Sequence, residues 1–272
     1  MESHQTTTHA PSAVILAAGK GTRMKSDLPK VLHEVADRPM VCHVVDACIK
    51  VGCETIVVVV GYKRELVEAA LKDYPQIRFA VQDQQLGTGH AVVCAQSELA
   101  DTIAAKCDTF VLCGDGPLIR AETLKTMLAR HRETGAAATL ATSIIDDPTG
   151  YGRIVRNLDG TFKAIVEQKH LDDDQLAIRE VNPSYYCFQP RELFSALDRV
   201  ERNDVSGEYY LTDTLELLKN DGKPVEVIDA VPPEDVLSIN TPEQLAVVDH
   251  ALRARNASCA CGDQTSCCGG NA

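Results

Sequence analysis

Three features of the 272-residue chain predict an α/β fold: a mostly parallel sheet with helices on both faces and a small antiparallel insertion over the ligand site. Short β-branched runs alternate with segments of helical apolar spacing from residue 13 to residue 143. One run, residues 55–60 (TIVVVV), is β-branched throughout, as expected of a strand covered on both faces. Between residues 146 and 186 the rhythm breaks into shorter strands and turns (GYGRIVRNLDGTFKAIVEQK), the pattern of an antiparallel insertion. Length alone allows one large domain or two small ones. One main domain over residues 12–255 is expected, between a polar, disordered N-terminus (1–11) and a Cys- and Gly-rich flexible tail (256–272).

The first strand, 13–17 (AVILA), ends in a small basic turn, AGKGTR at 18–23. Glycine there leaves backbone N–H groups open to close approach by phosphate oxygens. Neither common phosphate fingerprint is complete: the Walker spacing is absent, and Met24 stands where G-x-G-x-x-G needs its third glycine. Two cations, Arg23 and Lys30, bracket the glycine turn, a pattern that a plain turn with solvated charges also gives. Met40, Val44, Ala47, Cys48 and Val51 lie at helical spacing and predict a helix over 39–51 stopped by Gly52. Helices are expected over 63–72, 89–97 and 121–132, and strands over 77–81, 109–113 and 137–143. Ligands bind beyond the carboxyl ends of the strands in such sheets, so the loops after residues 17, 81 and 113 should converge. VLSIN at 236–240 reads as a short strand ending in Asn240. Thr241, Pro242 and Gln244 then make a capped start for a helix over 242–255.

The formal charge of −12 argues against a nucleic-acid or anionic-membrane partner and makes the loop cations a local exception. A phosphate-rich ligand in such a field calls for a metal ion. No run of about 18 apolar residues exists, and residues 1–11 (MESHQTTTHAP) lack a basic start and an apolar core. Neither a membrane span nor a signal peptide is therefore expected, and the chain is expected in the cytoplasm. Cys42, Cys48, Cys53, Cys94, Cys107, Cys113 and Cys187 are scattered through apolar segments, as reduced core cysteines are. Cys259, Cys261, Cys267 and Cys268 crowd the tail without the C-x₂-C spacing of a zinc site.

Two further strings carry polar residues at strand ends. QDQQLGTGH (82–90) holds a second glycine turn; taken alone it reads as a helix N-terminus capped by Thr88. CGDGPL (113–118) puts Asp115 between glycines after a central strand, where a divalent cation bridging nucleotide phosphates would be held, though Asp is also ordinary in turns.

LAAGKGTRM together with SDLPKVL resembles the signature of the sugar-1-phosphate nucleotidyltransferases. The resemblance is strongest to the uridyltransferase half of the bifunctional N-acetylglucosamine-1-phosphate uridyltransferase/glucosamine-1-phosphate acetyltransferases, and it spans residues 14–255. It implies a Rossmann-like fold of the nucleotide-diphospho-sugar transferase type. It implies that Leu16, Ala17, Ala18, Gly19, Gly21 and Thr22 wrap the nucleotide, that Arg23 and Lys30 neutralise its phosphates, and that Gln82, Gly87 and Thr88 meet the uracil base. It further implies Mg²⁺ held by Asp115 and Asn240, with Arg23, Lys30 and Asp115 as the catalytic set. Gly152, Glu167 and Asn182 would contact the N-acetylated sugar, and GEYYLTD (207–213) would open a helix beside it. Cys113 and Gly116 depart from the family's aromatic residue and valine, and Pro183, Ser184 and Tyr185 depart from its Thr-Gly-Ile.

The implied reaction joins UTP and N-acetylglucosamine-1-phosphate into UDP-N-acetylglucosamine and pyrophosphate. Transfer to another sugar-1-phosphate, or binding of nucleotide sugars without turnover, is the alternative. Relatives of this kind carry a left-handed β-helix of stacked hexapeptide coils, and residues 256–272 hold almost no large apolar residue with which to stack any. The resemblance thus leads to the expectation of a uridyltransferase without acetyltransferase activity, monomeric or weakly associated.

Overall fold

In the computed structural model, described over residues 9–262 with side chains to Ser258, the β-branched runs form the strands expected of them. The first eight residues of the expected N-terminal tail, and Cys267 and Cys268, lie outside the described residues. In chain order the elements are β1 (Ser12–Leu16), β2 (Glu34–Val35), β3 (Arg38–Pro39), α1 (Met40–Val51), β4 (Thr55–Val60), α2 (Arg64–Leu71), β5 (Ile77–Val81) and α3 (Thr88–Cys94). Then come α4 (Ala100–Ala104), β6 (Thr109–Cys113), α5 (Ala121–Thr134), β7 (Ala138–Ile144), β8 (Gly152–Arg156), β9 (Phe162–Val166), α6 (Asp173–Leu176) and β10 (Glu180–Phe188). α7 (Pro190–Leu197), α8 (Asp213–Asn220), β11 (Val225–Asp229) and α9 (Pro242–Gly262) complete the described residues.

The main sheet runs β11-β7-β10-β6-β1-β4-β5. β1 pairs in parallel with both β4 and β6, β4 with β5, and β7 with β11, while β10 enters antiparallel between β6 and β7. β8 and β9 extend from β10 as the antiparallel insertion. Side chains alternate across β1: Ala13 and Ile15 join the core under α1, α2, α5 and α9, whereas Val14 joins the core under α3, α7 and α8. Residues Ile56 to Val60 are fully buried, which is why that strand reads as a continuous run. Each such buried side chain contributes roughly 1.5–3 kcal/mol. The left-handed Gly52 ends α1 as expected, at φ 97°.

The structure departs from the sequence expectations after β11 and at the ends of two helices. Residues 236–240 are not a strand, because β11 already holds the sheet edge beside β7 and the Ile239 N–H instead donates to the Asp115 carbonyl at 3.0 Å. The last helix continues past residue 255 to Gly262, since no glycine or proline intervenes to stop it, so the first part of the expected flexible tail is helical. The expected helix over 89–97 is shorter, with Ala95 as its C-cap. The seven cysteines of the body are free, as expected, and five of them are buried. No described helix is long and apolar enough to cross a membrane.

Candidate active site

The loop after β1 is shaped by its anchors. Met24, at the position of the third glycine in G-x-G-x-x-G, is buried, as are Val31 and Leu32, so the loop is pinned to the core at both ends. Gly21 is left-handed at φ 71°, and a Cβ there would lie 2.5 Å from the Cβ of Lys30. The bare backbone at Gly21 therefore lets the turn close over the lysine stem. Among the described residues, the N–H groups of Gly19, Lys20 and Gly21 donate to no backbone acceptor. That leaves three donors at the end of the central strand, in the arrangement that receives anions.

The second glycine turn leans on the first. Gln85 Nε2 donates to the Ala18 carbonyl at 2.8 Å, a tie that the sequence did not reveal. Gly87, at φ 100°, has the Tyr209 carbonyl 2.5 Å from where a Cβ would stand. Thr88 is the first residue of α3 and does not cap it: its hydroxyl accepts the Leu211 N–H at 3.0 Å. Gln82 is buried, and its amide nitrogen donates to the Gly87 carbonyl and meets His90 Nδ1, each at 3.0 Å. The carbonyl end of Gln82 is the end left over. Leu16, Ala17, Ala18, Gly19, Lys30, Gln82, Gly87, Thr88 and Asp115 line one cavity of about 250 Å³, so the three loops do converge. Gly21 and Thr22 stand outside that lining.

The expected cations and the expected metal ligands form a single cluster. Lys30 Nζ bonds the Asp115 carboxylate and lies 3.1 Å from Asn240 Oδ1, to which Arg23 Nη2 donates at 2.8 Å. Asn240 is fixed by its own N–H, which donates to Gln244 Oε1 at 2.8 Å, and Thr241 and Gln244 cap α9 reciprocally. Two hard oxygen donors thus face one positive centre, a donor set that suits Mg²⁺. Among the described residues, no group of three or more His, Cys, Asp or Glu could hold a metal, so further ligands for an ion here would come from substrate and water. Burial, and secondarily the Asp115 charge, push the nearby Cys113 thiol up to about 12, which keeps it protonated and removes it as a nucleophile at neutral pH.

The side opposite the two glycine turns is assembled from distant segments. A cavity of about 460 Å³ is bounded by Cys113, Glu167, Asn182, Ser184 and Tyr186 together with Tyr210 to Thr212. Its neighbour, about 680 Å³, adds Arg23, Asp115, Gly152 and Asn240. Glu167 and Asn182 border both cavities, and Gly152 only the second. Burial raises the Glu167 carboxyl above the ordinary carboxylate range, opposed by Lys169 and His170. Asn182 is folded onto its own strand: it donates to the Tyr186 hydroxyl at 2.7 Å and accepts the Ser184 N–H at 2.8 Å. The cause is Pro183-Ser184, where the pairing of β10 with β7 shifts register and Ser184 is left-handed at φ 67°.

A family model described as the MobA-like NTP transferase domain matches residues 13–216. Over 243 residues the chain is 48% identical to the bifunctional protein GlmU of Geobacillus thermodenitrificans, a match covering 89% of this chain and 52% of that protein. It is 46% identical over 246 residues to the bifunctional protein GlmU of Syntrophomonas wolfei, covering 90% and 53% respectively. The chain spans about half the length of the curated relatives it matches. A crystal structure of UDP-glucose pyrophosphorylase complexed with UDP-glucose superposes at a TM-score of 0.71 with 20% identity, over 91% of this chain and 100% of that one, so the two share a fold.

Proposed function

The chain belongs to the MobA-like NTP transferase family, and we propose that it transfers the uridylyl group of UTP to N-acetylglucosamine-1-phosphate, giving UDP-N-acetylglucosamine and pyrophosphate. The observation that carries this proposal is the meeting of Arg23, Lys30, Asp115 and Asn240 at one point where the cavities adjoin. A sugar phosphate is already an anionic nucleophile at neutral pH, so no general base is required. Catalysis then consists of alignment and charge neutralisation.

Each residue has a role in that scheme. The free N–H groups of Gly19 to Gly21 receive phosphate oxygens, and Arg23 and Lys30 offset the charge that builds on the α-phosphate and the departing pyrophosphate. Asp115 and Asn240 would hold Mg²⁺, which when bound supplies further positive charge to those phosphates. Gln82 offers its carbonyl to the base, because its amide nitrogen is committed to Gly87. Uracil presents an N3–H donor at its pairing edge and cytosine an acceptor, so this orientation favours uracil. Glu167, half-desolvated and bordering both sugar-side cavities, accepts sugar hydroxyls. A cytoplasmic location accords with nucleotide substrates.

A pyrophosphate-release screen tests this, crossing the common nucleoside triphosphates with glucose-, glucosamine- and N-acetylglucosamine-1-phosphate in Mg²⁺. UTP with the N-acetylated sugar is expected to be fastest, and chelation by EDTA is expected to stop release. A faster rate with another sugar would reassign the substrate. Tight binding of UDP-N-acetylglucosamine without release from any pair would make the chain a sensor instead.

A further inference from the structure

We infer that Asp235, acting through Arg120 and Arg255, is a positioning residue for the paired oxygens of Asp115 and Asn240. The inference rests on the function proposed above, and no motif drew attention to these three residues. Asp235 is 1% exposed. Its carboxylate accepts from Arg120 through both Nε and Nη2, the latter at 3.2 Å, and from Arg255 Nη2. Arg120 Nη2 also reaches Glu234 at 2.9 Å, and Arg255 Nη1 donates to the Leu118 carbonyl at 2.8 Å.

The placement of these groups gives the cluster its meaning. Arg120 closes the turn that begins at Asp115 and is the N-cap of α5. Asp235 lies at the head of the irregular segment that delivers Asn240. Arg255 sits on α9, whose first turn is capped onto Asn240. The three segments that carry or flank the two oxygens are thus tied to one buried carboxylate, and the Ile239 N–H bond to the Asp115 carbonyl, at 3.0 Å, joins the loops directly. A buried carboxylate between two guanidinium groups is costly to desolvate, and a well-packed apolar cluster often serves stability as well. What the charged cluster adds is orientation, because a guanidinium fork fixes the plane and direction of its partner.

The test uses Asp235→Asn and, as a second variant that keeps both charges but loses the fork, Arg120→Lys. Parent and variants are assayed for kcat and for KM with UTP, for Mn²⁺ binding to the UTP-loaded protein by electron paramagnetic resonance, and for Tm. In both variants kcat is expected to fall about tenfold or more and Mn²⁺ affinity about tenfold, with KM for UTP held within about twofold because the nucleotide turns are untouched. Parent-like kcat and Mn²⁺ affinity in both variants would overturn the inference. So would a loss of kcat that follows Tm, recovers on cooling and leaves Mn²⁺ affinity unchanged. A parent that neither binds Mn²⁺ with UTP nor releases pyrophosphate would instead overturn the proposed function, and this inference with it.

Discussion

On the proposed nucleotide side, two stretches, 16–30 and 82–88, supply most of the lining, tied to each other through the Gln85 bond to the Ala18 carbonyl. On the proposed sugar side, Gly152, Glu167, Asn182 and Tyr210 to Thr212 arrive from separate elements, and apart from Gly152 the groups that meet include side chains. The first region is fixed by backbone and stands ready without a ligand. The second holds a half-buried carboxylate raised in pKa and an asparagine turned onto its own strand, so it is the region that a ligand completes. Preorganisation is therefore uneven across one site, and substitutions on the two sides should separate in kind as well as size.

Asp115→Asn should give the largest effect because it acts where the two sides join: turnover is expected to fall at least about 10³-fold with Tm within a few degrees of the parent. Near-normal activity in Mg²⁺ would dissolve the shared centre. Lys30→Ala or Arg23→Ala should lower kcat/KM by about 10²-fold, the scale of one lost preorganised donor. A change below about threefold would return both to solvated turn charges.

Glu167→Gln sharpens the contrast, because it should harm function while helping stability. Burial holds the folded-state carboxyl above its ordinary pKa, so the unfolded chain ionises first as pH rises. The resulting loss of stability is absent below the ordinary carboxylate range and fully present above the raised value. Glutamine escapes that loss, and the variant's Tm should match the parent's near pH 3 and exceed it at pH 7. Its kcat/KM for the sugar phosphate should meanwhile fall by about 10- to 100-fold. A lower Tm at pH 7 would show the pocket to be rigid without its ligand. Gln82→Ala should have the smallest effect, reducing the UTP-to-CTP rate ratio by about three- to tenfold; an unchanged ratio would remove Gln82 from base selection.

The same contrast explains what could be read from the chain. Strands 55–60, 77–81 and 109–113 appear residue for residue, because each is a short run rich in β-branched and aromatic residues, and in the first of them burial on both faces makes that run continuous. The loop cations, Asp115 and Asn240 were legible through local strings. VLSIN was misread because its apolar residues are demanded by packing against the Asp115 turn, and composition alone does not distinguish that from a sheet edge. The Thr88 bond to Leu211 and the Asp235 cluster were invisible for a related reason: each joins residues far apart in the chain, and no short pattern records such a pairing.

The antiparallel strand β10 also sets an order of assembly. As the chain is synthesised, β6 and β7 emerge early, yet they are not neighbours, and the edge of β6 away from β1 waits for Tyr186, Cys187 and Phe188 to pair with it. Until then a buried-type strand presents unpaired N–H and C=O groups, a template for association with other chains. A nascent or truncated polypeptide ending between β7 and β10 would thus carry its whole phosphate loop but a sticky, half-closed sheet. Closure of the sheet beside the phosphate loop and escape from aggregation arrive together, with the same strand.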